Sequence, residues 1–141
     1  MEVLHLYTLE QRHAMRPTDA EFHGYFDDIL SVIRHPVVIS ANPTNGYVPS
    51  PAAIDAISKK YHQVIGLRIS NMPDNALINF KDGVSRELAY YVMLGNSLSC
   101  LAIGIDGIFG SKANLIPRTI VSTWTFATSA TSRASARRTQ T

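Results

Sequence analysis

Cysteine is almost missing from this 141-residue chain: Cys100 stands alone, so neither an intramolecular disulfide nor a thiolate metal cluster can form. Its apolar setting, Leu98 to Ile103, fits a small buried hydrophobe. Long apolar runs are missing too. No stretch approaches the ~20 apolar residues that a membrane helix requires, and the opening Met1-Glu2-Val3 reaches His5 and Glu10 before any long apolar run, which is not a secretory leader. The simplest address is the cytoplasm, with no membrane partner. Basic stripes are also lacking. The net charge of +2 rests on Arg133, Arg137 and Arg138 in the last nine residues, and without them the balance turns to −1. The other basic residues are scattered singly, so no nucleic-acid footprint is present. The five histidines show no metal-ligand spacing, which makes a metal site improbable, and no cofactor is implied.

What is there is a globular composition, 45% hydrophobic and 17% charged, and a chain long enough to bury roughly two-thirds of its unfolded surface. Thr18-Asp19-Ala20-Glu21 is a capping box. Phe22, Tyr25, Phe26, Ile29, Val32 and Ile33 then recur at helical spacing as one apolar face, which Pro36 ends. Val37-Val38-Ile39 reads as a strand buried on both sides. Asn42 to Gly46 is a loop by composition, and Ser50-Pro51 opens a second helix that runs to about Tyr61. Val64 to Leu67 is the next strand, Asn71 to Asn75 a polar loop and Ala76 to Lys81 a short helical stretch. Ala89 to Leu94 reads as a strand, Ser97 to Ile103 as a short helix, and Ile105 to Phe109 as a fourth strand. Pro117 marks another helix start.

Four strands joined through helical segments are successive βαβ units, which demand a parallel sheet. An eight-unit barrel needs about 200 residues or more, so this chain is too short to close one alone. An open doubly wound sheet is the alternative. Residues 1–121 form the expected domain. Residues 122–141, a mixture of Ala, Ser, Thr and Arg without periodicity, form an expected disordered tail, of the kind a genuine linker or a shifted reading frame would give.

The segments Pro36 to Pro43, Val64 to Ser70 and Gly104 to Ser111, with Ala113-Asn114-Leu115-Ile116-Pro117, resemble the dihydrodipicolinate synthase and N-acetylneuraminate lyase family. The helix at Arg16 to Glu21 sits where that family has one, ahead of its fifth strand. The resemblance covers roughly residues 11 to 120, and Gly104 to Pro117 is its most specific part. It implies an α/β fold, a partial (β/α)8 TIM barrel of about four βα units covering the second half of the barrel, and a carbon-carbon lyase or aldolase ancestry. Members bind pyruvate or another 2-oxo acid as a Schiff base on a lysine of the sixth strand.

The position matching that lysine is Arg68, which cannot be deprotonated and offers no free amine to a carbonyl. The position matching the family's proton-relay tyrosine is Ser40, while Tyr47 lies too far along the loop to be taken as its equivalent. The Gly-Thr-Thr loop that holds the substrate carboxylate is not in the sequence. Asn42, Gly95 and Gly107 are the substrate-binding positions the resemblance carries over, although the interval from Gly95 to Gly104 is shorter than the family's. Lys112 is the one alternative amine near a strand's C-terminal end. Lys59, Lys60 and Lys81, like Asp27 and Asp28, read as solvated surface charges. Gly110-Ser111-Lys112 has the wrong order for a phosphate loop.

Three readings follow. The chain is a truncated or degenerate family member without Schiff-base chemistry; or an enzyme of different chemistry, with Arg68 binding a carboxylate and Ser40 or Asn42 hydrogen-bonding the substrate; or a non-catalytic subunit completing another chain's barrel. A 2-oxo acid such as pyruvate is the expected small-molecule partner. Exposed sheet edges imply self-association or a partner chain.

Overall fold

The computed structural model describes residues 2–9, 16–43, 47–93 and 97–109, together with Arg118, Val121, Ser122 and Thr125. Among the described residues nine elements alternate: β1 (Leu4–Tyr7), α1 (Asp19–Leu30), β2 (Val37–Ala41), α2 (Pro51–Lys60), β3 (Val64–Ser70), α3 (Asp74–Gly83), β4 (Ala89–Met93), α4 (Ser97–Ile103) and β5 (Gly107–Phe109). The five strands form one parallel sheet in sequential order, β1-β2-β3-β4-β5.

Sequential order decides between the two architectures the sequence allowed. A doubly wound sheet reverses its strand order and takes helices on both faces, whereas successive right-handed crossovers in one direction put every helix on the same face. Neighbouring helices contact one another in chain order, and a single core joins Phe22 and Phe26, Ile54 and Ile57, Leu77 and Phe80 to Val37, Ile39, Leu67, Ile69, Tyr90 and Val92 of the sheet. The fold is a partial (β/α)8 barrel. Among the described residues β1 is a strand beyond the four the sequence predicts; the alternation Leu4-His5-Leu6-Tyr7, with Leu4 and Leu6 packed against the core, is its signal.

Local chemistry sets the boundaries. In α1 the Thr18 hydroxyl accepts from the Glu21 amide at 3.2 Å while the Glu21 carboxylate accepts from the Thr18 amide at 2.7 Å, the reciprocal capping box. Phe22, Phe26 and Leu30 form its buried stripe, with the two phenyl rings 4.7 Å apart. Val32 is 75% exposed, contrary to the expected face, because Ser31 caps the helix and the residues after it leave the helical period. Ser50 caps α2 through the Ala53 amide at 3.1 Å, with Pro51 in the first turn, as expected. α3 begins two residues earlier than the sequence suggested: Pro73 presents the N-cap and Asp74 favours the helix N-terminus. β5 starts at Gly107 rather than Ile105, because Asp106 is committed to Tyr90, accepting from its amide at 2.7 Å and donating its own amide to the Tyr90 carbonyl at 2.9 Å.

Long polar side chains tie the loops at the foot of the strands. Gln63 donates to the carbonyls of Leu30 and Ile33, and Arg86 to those of Ser58, Tyr61 and His62, satisfying helix-end acceptors. Two charges expected to be merely solvated take part in this layer. Lys81 reaches the carbonyls of Ile103 and Gly104 at 3.0 and 2.6 Å, where the positive φ of Gly104 turns the chain out of α4. Asp27 pairs with Lys60 at 2.7 Å across α1 and α2, a half-exposed bridge of modest worth. Beyond residue 121, the expected domain boundary, Ser122 and Thr125 are helical, and the Ser122 hydroxyl donates to the Arg118 carbonyl one turn back. The rest of the expected tail lies outside the described residues, as do Pro117, Lys112 and the whole Gly110-Ser111-Lys112 run.

Asp55 joins α2 to the loop before β4, accepting from the Ser85 amide and hydroxyl at 2.8 Å each and from Lys59 at 2.6 Å. The Lys59 ammonium first, then the two Ser85 donors, hold its carboxyl down to about 2 from an ordinary 3.8. A depressed carboxyl stabilises the fold fully above its unfolded value and loses that contribution as pH falls through the folded one. Between pH 4 and 2, therefore, Asp55→Asn is expected to show a shallower loss of stability than the parent in acid titration followed by circular dichroism. Gly66 faces the Ala89 carbonyl so closely that an added Cβ would stand 2.8 Å from its oxygen. Gly66→Ala is expected to destabilise the chain by about 1–3 kcal/mol, read as a lower urea midpoint at unchanged slope.

Candidate functional site

Side chains of a strand alternate between two faces, and in a parallel sheet residues in register share a face. Because Val37, Ile39, Leu67, Ile69, Tyr90 and Val92 face the helices, the residues between them face the other side, the interior of a barrel. The ladder aligns Tyr7 with Ser40, Ser40 with Arg68, Arg68 with Tyr91 and Tyr91 with Gly107. These five residues make one row across the face that none of α1–α4 covers, the helix-free face among the described residues, with Arg68 at its centre.

The Arg68 guanidinium extends along this row. Its Nη1 donates to the Tyr7 Oη at 3.4 Å, and its Nη2 lies 2.6 Å from the Met93 Sδ, a weak acceptor. Tyr7 and Arg68 stand on either side of Ser40, which is 2% exposed. Among the described residues the Ser40 hydroxyl has no hydrogen-bond partner. Tyr7 remains 59% exposed at the edge of the row. On the other side, the Tyr91 ring lies against two glycines: a Cβ on Gly107 would come within 2.8 Å of it and one on Gly66 within 3.3 Å. Gly107 thus makes room for Tyr91.

The ladder sets Ser40, Arg68 and, one strand further along, Gly107 in one row. Asn42 follows directly after β2, half-buried at the C-terminal end of the row; Gly95 lies outside the described residues. Tyr47 is engaged elsewhere. Its hydroxyl donates to Asp19 at 2.8 Å, and burial together with that carboxylate raises its pKa to about 12. Its carbonyl accepts from Thr8 and its amide donates to Leu9, which fastens the β2–α2 loop over the end of β1. Sequence reasoning missed Tyr7 and Tyr91. For Tyr91 the signal was parity: Tyr90 is buried among the helices, so its neighbour must face inward. Of the described lysines, Lys59 and Lys60 end α2 and Lys81 holds the end of α4, so none stands on the inner face.

A cavity of about 280 Å³ opens at the foot of β4, between Lys81, Arg86, Tyr90 and Asp106. Lys81, Arg86 and Asp106 are committed to backbone partners, and the cavity lies at the end of the sheet remote from Asn42.

No protein-family profile and no curated protein sequence matches the chain. Solved structures do. A dihydrodipicolinate synthase family protein from Coccidioides immitis superposes with a TM-score of 0.71 at 20% identity, over 90% of this chain and 41% of that one. A dihydrodipicolinate synthase superposes with a TM-score of 0.73 at 17% identity, over 96% of this chain and 46% of that one. A dihydrodipicolinate synthetase from Pseudomonas aeruginosa gives 0.69 at 20% identity, over 82% and 41%. The chain spans less than half the length of the structures it matches. Its five βα-linked strands have the fold of part of a dihydrodipicolinate synthase-type barrel.

Proposed function

We propose that the chain is a degenerate member of the dihydrodipicolinate synthase and N-acetylneuraminate lyase family, a carbon-carbon lyase or aldolase by descent on 2-oxo acids, which lacks Schiff-base catalysis. One observation carries this reading. Arg68, at the position where the resemblance puts the reactive lysine, is the central residue of the row on the helix-free face. A guanidinium there keeps its charge and has no amine lone pair to attack a carbonyl. Ser40, at the tyrosine position, is an equally poor substitute: a serine hydroxyl is far less acidic than a phenol, and this one is covered by its neighbours.

The strand count fits the same assignment. With β2 and β3 taken as the fifth and sixth strands of the barrel, β1 takes the place of the fourth, and β4 and β5 those of the seventh and eighth. Intact-mass analysis after incubation with pyruvate and borohydride is expected to show no adduct on the folded protein. A mass gain mapping to Lys112 would show that the amine has been re-sited, and the degenerate reading would fail.

The reading as a barrel-completing subunit rests on the two edges. Among the described residues, β1 pairs only with β2 and β5 only with β4, which leaves backbone donors and acceptors on both outer sides. Association with a second copy or a partner chain follows. Sedimentation is expected to show species larger than the 15.5 kDa chain, whereas a monodisperse monomer would count against it.

A further inference from the structure

We propose that Arg68 and Ser40 form a non-covalent binding site for the carboxylate of a small monocarboxylic acid, a site that recognises the carboxylate and is indifferent to the oxidation state of the neighbouring carbon. The inference rests on the reading of Arg68 as the residue in the lysine's place and gives that position a ligand chemistry of its own.

Two independent observations point to a ligand. The first is the placement of a planar two-pronged donor at the middle of a helix-free face, half-buried between Tyr7 and Tyr91. That fork suits a carboxylate, which accepts two parallel N–H bonds. No strand position on this face is Asp or Glu, so an incoming carboxylate meets no like charge from the sheet. The second is Ser40: among the described residues its hydroxyl, on a residue 2% exposed, has no hydrogen-bond partner, which is costly to bury, and the residue stands in register with Arg68 in the row. Two of the contacts of Arg68 are with weak acceptors, a phenol oxygen at 3.4 Å and a thioether sulfur, and a carboxylate is a stronger acceptor than either.

Selectivity follows from the chemistry. A Schiff base requires a carbonyl carbon at position 2, so a lysine site takes pyruvate and ignores lactate. A site built on Arg68 and Ser40 contacts the carboxylate shared by both acids. Titration calorimetry of the full chain with pyruvate, and separately with lactate, is expected to give affinities within about threefold of each other, a difference of well under 1 kcal/mol. Arg68→Ala is expected to weaken both by about tenfold or more, the scale of a lost charge-assisted hydrogen bond. Ser40→Ala is expected to weaken both severalfold while leaving the thermal midpoint unchanged or raised, since it removes an unsatisfied group. Circular dichroism checks that each variant is folded. Absence of binding to the folded parent, binding of pyruvate alone, or affinity unaffected by Arg68→Ala would each overturn the proposal. The first and last leave the loss of Schiff-base chemistry standing, because that reading fails only if borohydride traps an adduct.

Discussion

Among the described residues, α1, α2, α3 and α4 pack on one face of the sheet, and that one-sidedness governs the rest. The strands follow one another in sequence, and the apolar residues of α1, α2, α3 and α4 meet those of the sheet in a single core. Burial on that side, around Phe22, Phe26, Ile54, Ile57 and Phe80, is what orders the strands. The price, among the described residues, is an opposite face that none of these four helices covers and two strands, β1 and β5, that are paired on one side. In a closed barrel that face would be lined on all sides by further strands, and in this chain it presents the row from Tyr7 to Gly107.

The row is a product of register, not of proximity in sequence. Arg68 and Tyr7 are 61 positions apart, yet the ladder through β2 puts them either side of Ser40. Chemistry at the centre of the row therefore depends on residues that fix register from a distance. Gly66 admits the Ala89 backbone, Gly107 admits the Tyr91 ring, and Asp106 fixes the start of β5 against Tyr90. Below the strands, Gln63, Arg86 and Lys81 use carbonyls at helix ends as anchors, so the charges that a sequence presents as solvent-facing serve as ties between consecutive units.

Much of this was legible from the sequence. The capping box at Thr18, the Ser50-Pro51 helix start and the runs at Val37, Val64 and Ala89 carry their signals within a few residues, and the structure has those elements in place. The positions of Arg68, Ser40 and Gly107 came from resemblance, and the ladder sets them in one row. What was not legible depends on contacts made far along the chain. β1 is four residues long and alternating, too short to stand out without its partner Val37 to Ser40. The face assignment of Tyr91 requires knowing which neighbour the helices cover. Lys81 and Asp27 look like ordinary surface charges until Gly104 and Lys60 are brought to them by the fold.

The claim on which the account turns is that residue 68 occupies the reactive place of the barrel and that its identity alone denies it an amine. The most direct measurement is borohydride trapping of Arg68→Lys with pyruvate, followed by peptide mapping. A lysine half-buried between Tyr7 and Tyr91 would have its pKa lowered by desolvation, and so carry more free amine at neutral pH than a lysine in full contact with water; Lys59 and Lys60 are exposed. The account predicts an adduct at residue 68 that forms ahead of any at those two. Labelling spread over the surface lysines, with none at residue 68 in the folded variant, would contradict it.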